Sequence, residues 1–351
     1  MKHIIANRIK AARTLAGLSY RELADKLQPP VSHNLLSRYE KQEITPGSDM
    51  LLALGKALNV KTDYFFMPFD LAIEKIEFRK KSKLPAKEEA AIKQQVTDHI
   101  ARYLEIEQFL QISSGFNNPL HARCIENAEQ AETAAEALIE AWGLGRNGIP
   151  HVYEMLEDNE IKLYEMDAAP AFDGLSGHAN GVIPVIVVNK NFPTERKRFT
   201  ALHELAHLVL KFPQAMEQQQ MEKLCHRFAA ALLLPQQTLF RELGHKRSSV
   251  MPIELIPIKE NYGISMAAIM ARARQLDIVS DYTYRQFCIW LNKDPDRKKE
   301  IGLGHSKVEE HSDRFRQLVY RAASEEIISL SKAASLCNQK LADFREVFLQ
   351  V

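Results

Sequence analysis

Over the first 66 residues apolar positions recur every three or four places, a spacing that predicts a string of short helices. Ile5, Ile9, Ala12 and Leu15 form one stripe. Ser19 followed by Glu22 has the spacing of a capping box and opens a second helix that runs to Leu27, where Gln28-Pro29-Pro30 stops it. A third helix is predicted over residues 31–42 with Leu35, Leu36 and Tyr39 inward, and Pro46-Gly47-Ser48 precedes a fourth over residues 49–58.

The pattern then changes. From Met67 to about Phe116 the chain is charged and helix-prone, with a basic cluster at Arg79-Lys80-Lys81 and a stripe of Val96, Ile100, Tyr103 and Ile106 that should pack on a neighbour. No part of it is rich enough in Gly or Ser to act as a loose tether. A strong helix is predicted over 129–142, ended by Gly143 and Gly145, and a short one over 150–158. The first strand signals follow at 161–165 and 182–188, separated by AFDGLSGHANG, which reads as a loop. Two apolar helices come next, over 200–210 and about 215–234, and beyond Gly244 the chain is again mainly helical. The fold class expected is mainly α with a small β-sheet, an α+β arrangement.

Composition narrows the function classes. At 351 residues the chain should hold about two domains of ~150 residues. Lys and Arg exceed Asp and Glu up to Phe66, which marks a modestly basic amino-terminal module. Cys124, Cys225, Cys288 and Cys337 lie far apart without a C-x-x-C pair, so neither a disulfide framework nor an all-cysteine metal site is expected, and a reducing cytoplasm is. No apolar run approaches the ~18 residues of a membrane span, and charges interrupt MKHIIANRIKAARTLAG before any signal-peptide core.

The chemistry concentrates in TALHELAHLVL, residues 200–210. His203 and His207 are four positions apart, so on a helix both present a ring nitrogen to one ion. Glu204, beside them on the rim, can reach a metal-bound water as a general base without being a ligand. Phe199, Leu202, Ala206, Val209 and Leu210 supply the buried face. A catalytic zinc ion wants a third protein ligand and an open position. Pro213 stands where the extended H-E-x-x-H-x-x-G-x-x-H pattern would have its third histidine, so that arrangement is excluded. In MEKLCHRFAAALLLP, Glu222, Cys225 and His226 share a helical face, and donor chemistry alone does not choose among them.

These stretches resemble the ImmA/IrrE family of bacterial metallopeptidases: AFDGLSG from 171, PVIVVN from 184, RFTALHELAHLVL from 198 and MEKLCHRFAAALLLP from 221. The resemblance implies a zincin-like domain with Zn2+ held by His203, His207 and Glu222, and Glu204 as catalytic base. Cys225 stands where the family usually has Ala, and His226 where Asn is frequent. His178 and His245 are further histidines with two readings, assistance to substrate or transition state and simple solvation in a loop. GISMAAIMARARQLDIVSDYTYRQF and EEIISLSKAASL resemble the family's trailing helices and are expected to pack on the peptidase core.

Residues 19–66 resemble the Cro/repressor type of helix-turn-helix, the XRE family. Docking of that kind implies that Ser32, His33 and Asn34 face base edges, with Ser37 and Arg38 nearby, while Arg13, Arg21 and Lys41 meet phosphates. The organisation expected is a five-helix helix-turn-helix domain at 1–66, a helical connector at 67–126, the zincin-like domain at 127–278 and a helical region at 279–351. Together the two resemblances imply a DNA-binding regulator with a zinc endopeptidase domain. Its partners would be a double-stranded operator, bound as a homodimer, and a repressor or antitoxin protein that it cleaves, unless it cleaves itself; no membrane is involved. The alternative is a regulator that does not cleave and uses the peptidase-like domain as a sensor.

Overall fold

A computed structural model describes residues 2–66, 76–77, 85–112, 115–145 and 147–349. The amino-terminal unit consists of α1 (Lys2–Leu15), α2 (Tyr20–Lys26), α3 (His33–Glu40) and α4 (Ser48–Leu58), closed by a 3-10 helix (Thr62–Phe66) that serves as the fifth helix. The capping box forms: Ser19 Oγ accepts from the Glu22 N–H and Glu22 accepts from the Ser19 N–H at 2.7 Å. Asn59 ends α4 in the left-handed region, φ 54°. Ile9, Leu23, Leu36, Leu54 and Phe65 are fully buried at the centre, each stabilising the unit by roughly 1.5–3 kcal/mol.

One long helix, α5 (Ala86–Phe109), connects this unit to everything else. Its stripe of Val96, Ile100, Tyr103 and Ile106 is completely buried. The amino-terminal half packs with Leu175, Val185 and Val187 of the sheet and with Phe172 just before it. Tyr103 and Ile106 instead join the carboxy-terminal helices. On the opposite side Asp98 accepts from Arg8 and from the Tyr64 hydroxyl, each at 2.8 Å, and so fastens α1 to α5. The basic cluster Arg79-Lys80-Lys81 lies outside the described residues.

Next come α6 (Ala128–Ala141), capped by Asn127, and α7 (Val152–Asp158). The sheet has the order β1-β3-β4-β2, from β1 (Ile76–Glu77), β2 (Lys162–Met166), β3 (Gly174–Ala179) and β4 (Ile183–Asn189). β2 runs parallel to β4, Lys162 opposite Val185, and β3 antiparallel to it, Gly174 opposite Val188. The expected loop at 171–181 therefore contains a strand. Its Gly-Leu-Ser-Gly sequence carries almost no apolar alternation, because one neighbour needs close backbone approach: a Cβ at Gly174 would lie 2.7 Å from both the Thr200 methyl and the Val187 carbonyl oxygen.

On the face away from α5 lies α8 (Thr194–Val209), and α9 (Gln218–Leu233) packs against both α8 and α6. Around them are α10 (Gln236–Leu243), α11 (Pro252–Tyr262), α12 (Met266–Gln275), α13 (Asp281–Asn292) and the short α14 (Pro295–Lys298). Met266, Ile269 and Phe287 enter the same core as Leu202, Leu205 and Phe228, so the first trailing segment packs on that core. The second does not. The last helices, α15 (Arg314–Ser324), α16 (Leu330–Leu336) and α17 (Leu341–Leu349), build a separate cluster on Tyr103 and Ile106 of α5. The chain is mainly helical with one small sheet, and among the described residues no helix is long and apolar enough to cross a membrane.

Candidate metal centre and nucleic-acid interface

α8 is anchored before it presents any chemistry. Arg198, in its second turn, is buried and donates to the Ile149 and Pro150 carbonyls and to Glu310, whose two oxygens accept the first free N–H groups of α7 from Val152 and Tyr153 at 2.9 and 3.0 Å. A carboxylate at a helix amino terminus satisfies orphan donors and meets the positive end of the dipole. Gly263, at φ 57°, makes room for the guanidinium: a Cβ there would come within 2.6 Å of Arg198 Nε.

One and two turns further on, α8 presents His203 and His207 toward α9, which returns Glu222 between them. His203 Nε2 lies 3.3 Å from Glu222 Oε2, and His207 Nε2 lies 3.8 Å from Glu222 Oε1. One donor atom from each of the three residues falls within 4.8 Å of the others. Donors ~2.1 Å from a tetrahedral ion stand roughly 3.4 Å apart, so two imidazoles and a carboxylate at these spacings fit a divalent ion of zinc's preferences. Among the described residues this is the group of histidine, cysteine and acidic side chains placed to hold a metal. It does not include Cys225 or His226. Cys225 Sγ sits 3.7 Å from His207 Nδ1, on the side of the ring away from Glu222, where it steadies the ring. The exposed His226 ring tilts over His203 at 4.2 Å between centroids and also stacks with Phe199 at 5.6 Å.

Glu204 is 3% exposed and is held from the sheet: Ser176 Oγ, on β3, donates to its Oε2 at 2.8 Å. Sequence reading gave Ser176 no role. The signal lay in the quoted FDGLSG stretch, but only the pairing of β3 with β4 turns that serine toward α8. His178 and His245 are not in the donor group; His178 lies on β3 opposite Pro184, with burial pushing its imidazole down, and His245 rests on Phe240 at 4.4 Å.

The comparisons with known proteins divide the chain in the same way. Residues 156–274 match a peptidase-family model described as the IrrE N-terminal-like domain, and residues 9–65 match a helix-turn-helix model. This chain joins an XRE-type helix-turn-helix domain to an IrrE-like domain. Among curated proteins it is similar to the HTH-type transcriptional regulator ImmR of Bacillus subtilis (strain 168), 42% identical over 60 residues. The match covers 17% of this chain and 46% of ImmR, so the chain spans about half the length of that relative. The IrrE-like domain contains all of β2 to β4, α8 and α9, and with them the three donors and Glu204.

In the helix-turn-helix domain, α3 begins at Ser32, whose Oγ caps it by accepting the Leu35 N–H at 3.2 Å. His33, Asn34 and Arg38 are exposed, Ser37 is half-buried, and Arg38 pairs with Glu43 at 3.2 Å. Arg21 and Lys41 are exposed. Arg13, expected to meet a phosphate, is engaged within the unit instead. Its guanidinium grips both oxygens of the buried Glu40 at 2.7 and 2.8 Å, donates to the Leu18 carbonyl and lies 4.1 Å over the Tyr20 ring. It ties α1 to α2 and α3, and the Glu40 partnership holds its pKa above the usual arginine value.

Proposed function

We propose that the chain is a DNA-binding transcriptional regulator whose IrrE-like domain is a zinc-dependent endopeptidase, acting on a repressor or antitoxin protein or on itself. The observation that carries this reading is the convergence of His203, His207 and Glu222 beside a fixed Glu204 carboxylate. A zinc ion in that group would polarise the scissile carbonyl and lower the pKa of a water toward ~7. Glu204, oriented by Ser176, is the group that takes the proton and later delivers it to the leaving amine. The apolar flank of α8 keeps bulk water from the carboxylate and strengthens its electrostatics.

For the amino-terminal domain, ImmR's name as a transcriptional regulator and the exposed α3 support operator binding, with Ser32, His33, Asn34, Ser37 and Arg38 along the reading helix. Such modules bind half-sites as dimers, and a homodimer on DNA belongs to this proposal. The test pairs wild type with Glu204→Gln. Stoichiometric zinc in both, with cleavage of a co-encoded repressor by wild type alone, is expected. Zinc in both without cleavage by either would convert the IrrE-like domain into a sensor, and metal-free protein would remove the hydrolase reading.

A further inference from the structure

The outer edge of β3, the one facing away from β4, is taken by the chain itself. Ile76 pairs antiparallel with Gly177 and Glu77 with Ser176. Ser176 is the residue that holds Glu204, so the strand added at this edge runs alongside the rim of the candidate site, with adjacent strands ~4.8 Å apart. A sheet edge offers unpaired N–H and C=O groups to any extended peptide, and an edge beside a peptidase site is where a substrate strand gains its main-chain hydrogen bonds. Here a segment between the helix-turn-helix domain and α5 has that place.

We propose that Ile76–Glu77 acts as an intramolecular competitor: this pair holds the position of an extended protein substrate and withholds the site from outside strands until it is displaced. This rests on the peptidase reading above. Two features of the fold favour the occupant from within. The connector is tethered at both ends, by the 3-10 helix that stops at Phe66 and by α5 starting at Ala86, and the Arg8–Asp98–Tyr64 contacts hold those two ends on one body. A tethered strand competes at an effective concentration in the millimolar range. The strand is also only two residues long, so it yields to a longer segment that makes more ladder bonds.

The experiment uses the full chain carrying Glu204→Gln, so that the probe is not consumed, with and without Ile76→Pro and Glu77→Pro. Proline has no N–H to give to the β3 ladder. The probe is a fluorescent synthetic peptide with the sequence of residues 70–84, DLAIEKIEFRKKSKL. It is expected to bind the double-proline chain about tenfold or more tightly than its parent, as release from a tethered competitor requires. Of Ser176 and Gly177, the one whose N–H turns to β1 rather than to β4 should exchange faster in the double-proline chain and slow again when the peptide is added. Equal binding by the two chains, or unchanged exchange at that N–H, overturns the proposal and leaves the peptidase reading standing when both chains carry zinc. Metal-free protein overturns both, and metal analysis reads that outcome separately.

Discussion

The two helices on which function is proposed, α3 and α8, are built for opposite surroundings. Around α3, His33, Asn34 and Arg38 stand in solvent, and the contacts that fix the helix, Ser32 on the Leu35 N–H and Arg13 on Glu40, come from its ends and its back. On α8 the functional groups are the buried ones: His203 and Glu204 are each 3% exposed and Glu222 opposite them 5%. The difference follows from the chemistry. Reading a base edge requires donors and acceptors that meet their partner only on binding, whereas activating a water requires converging donors, a fixed carboxylate and a low local dielectric within the chain. The α8 site is therefore assembled in the isolated protein, while the α3 surface is an offer to a partner.

The sharpest way to break this contrast is to remove a donor. Glu222→Ala should lower zinc affinity more than ~100-fold, since deleting a ligand exceeds the 10–100-fold cost of losing an outer partner, while a gel shift on the operator stays unchanged; loss of both would show that the two helices are not independent. Next in size is the anchor of α8. Arg198→Ala strands Glu310 in the interior, and breaking such a pair costs about 3–5 kcal/mol, to be read as a lower midpoint in denaturant unfolding. Arg38→Ala should weaken operator binding by about 1–3 kcal/mol with zinc content intact. Arg13→Ala, by contrast, should act first on the thermal stability of the helix-turn-helix unit. Ser176→Ala should retain zinc and slow hydrolysis roughly tenfold, less than the ~100-fold or more that loss of a general base itself costs; an unchanged rate would mean that the serine only packs.

A smaller effect tests the cluster between α5 and the carboxy-terminal helices. His99 stacks on Tyr164 at 4.0 Å, and burial pushes its imidazole down to about 3. The unfolded chain takes up that proton near 6.5 and the folded chain only near 3, so the unfolded state binds more protons in between and stability falls as pH drops through this window. Glu157, pushed up to about 7 by burial, works in the opposite sense between its ordinary 4.5 and 7. Comparing wild type with His99→Phe at each pH cancels Glu157. The wild type should lose up to ~1.4 kcal/mol per pH unit more than the variant below 6.5.

The helices were legible because their signals are local. The capping box at Ser19 and Glu22, the α5 stripe and the i, i+4 histidines each lie within a few residues of chain, where helical geometry converts spacing into direction. β3 was not legible, because glycine and serine replace the apolar alternation that marks a strand where α8 comes close. Arg13 looked like any surface arginine of a basic module until Glu40, 27 residues away, was folded against it. The last helices had an apolar face that sequence could identify, but not the knowledge that α5 would cover it.

By itself the sequence determined that the chain is mainly helical, where helices such as α2 are capped, and that two imidazoles and a carboxylate share a face of α8, because caps and helical periodicity act over a single turn; it did not show that α8 starts as early as Thr194. Tertiary structure decided which residue of α9 meets those histidines, that Ser176 orients Glu204, that Arg198 is spent on Glu310, and that Ile76 and Glu77 lie on the edge of β3. Each of these joins groups far apart in the chain, and such pairings exist only once the sheet register and helix packing have brought them within hydrogen-bonding distance.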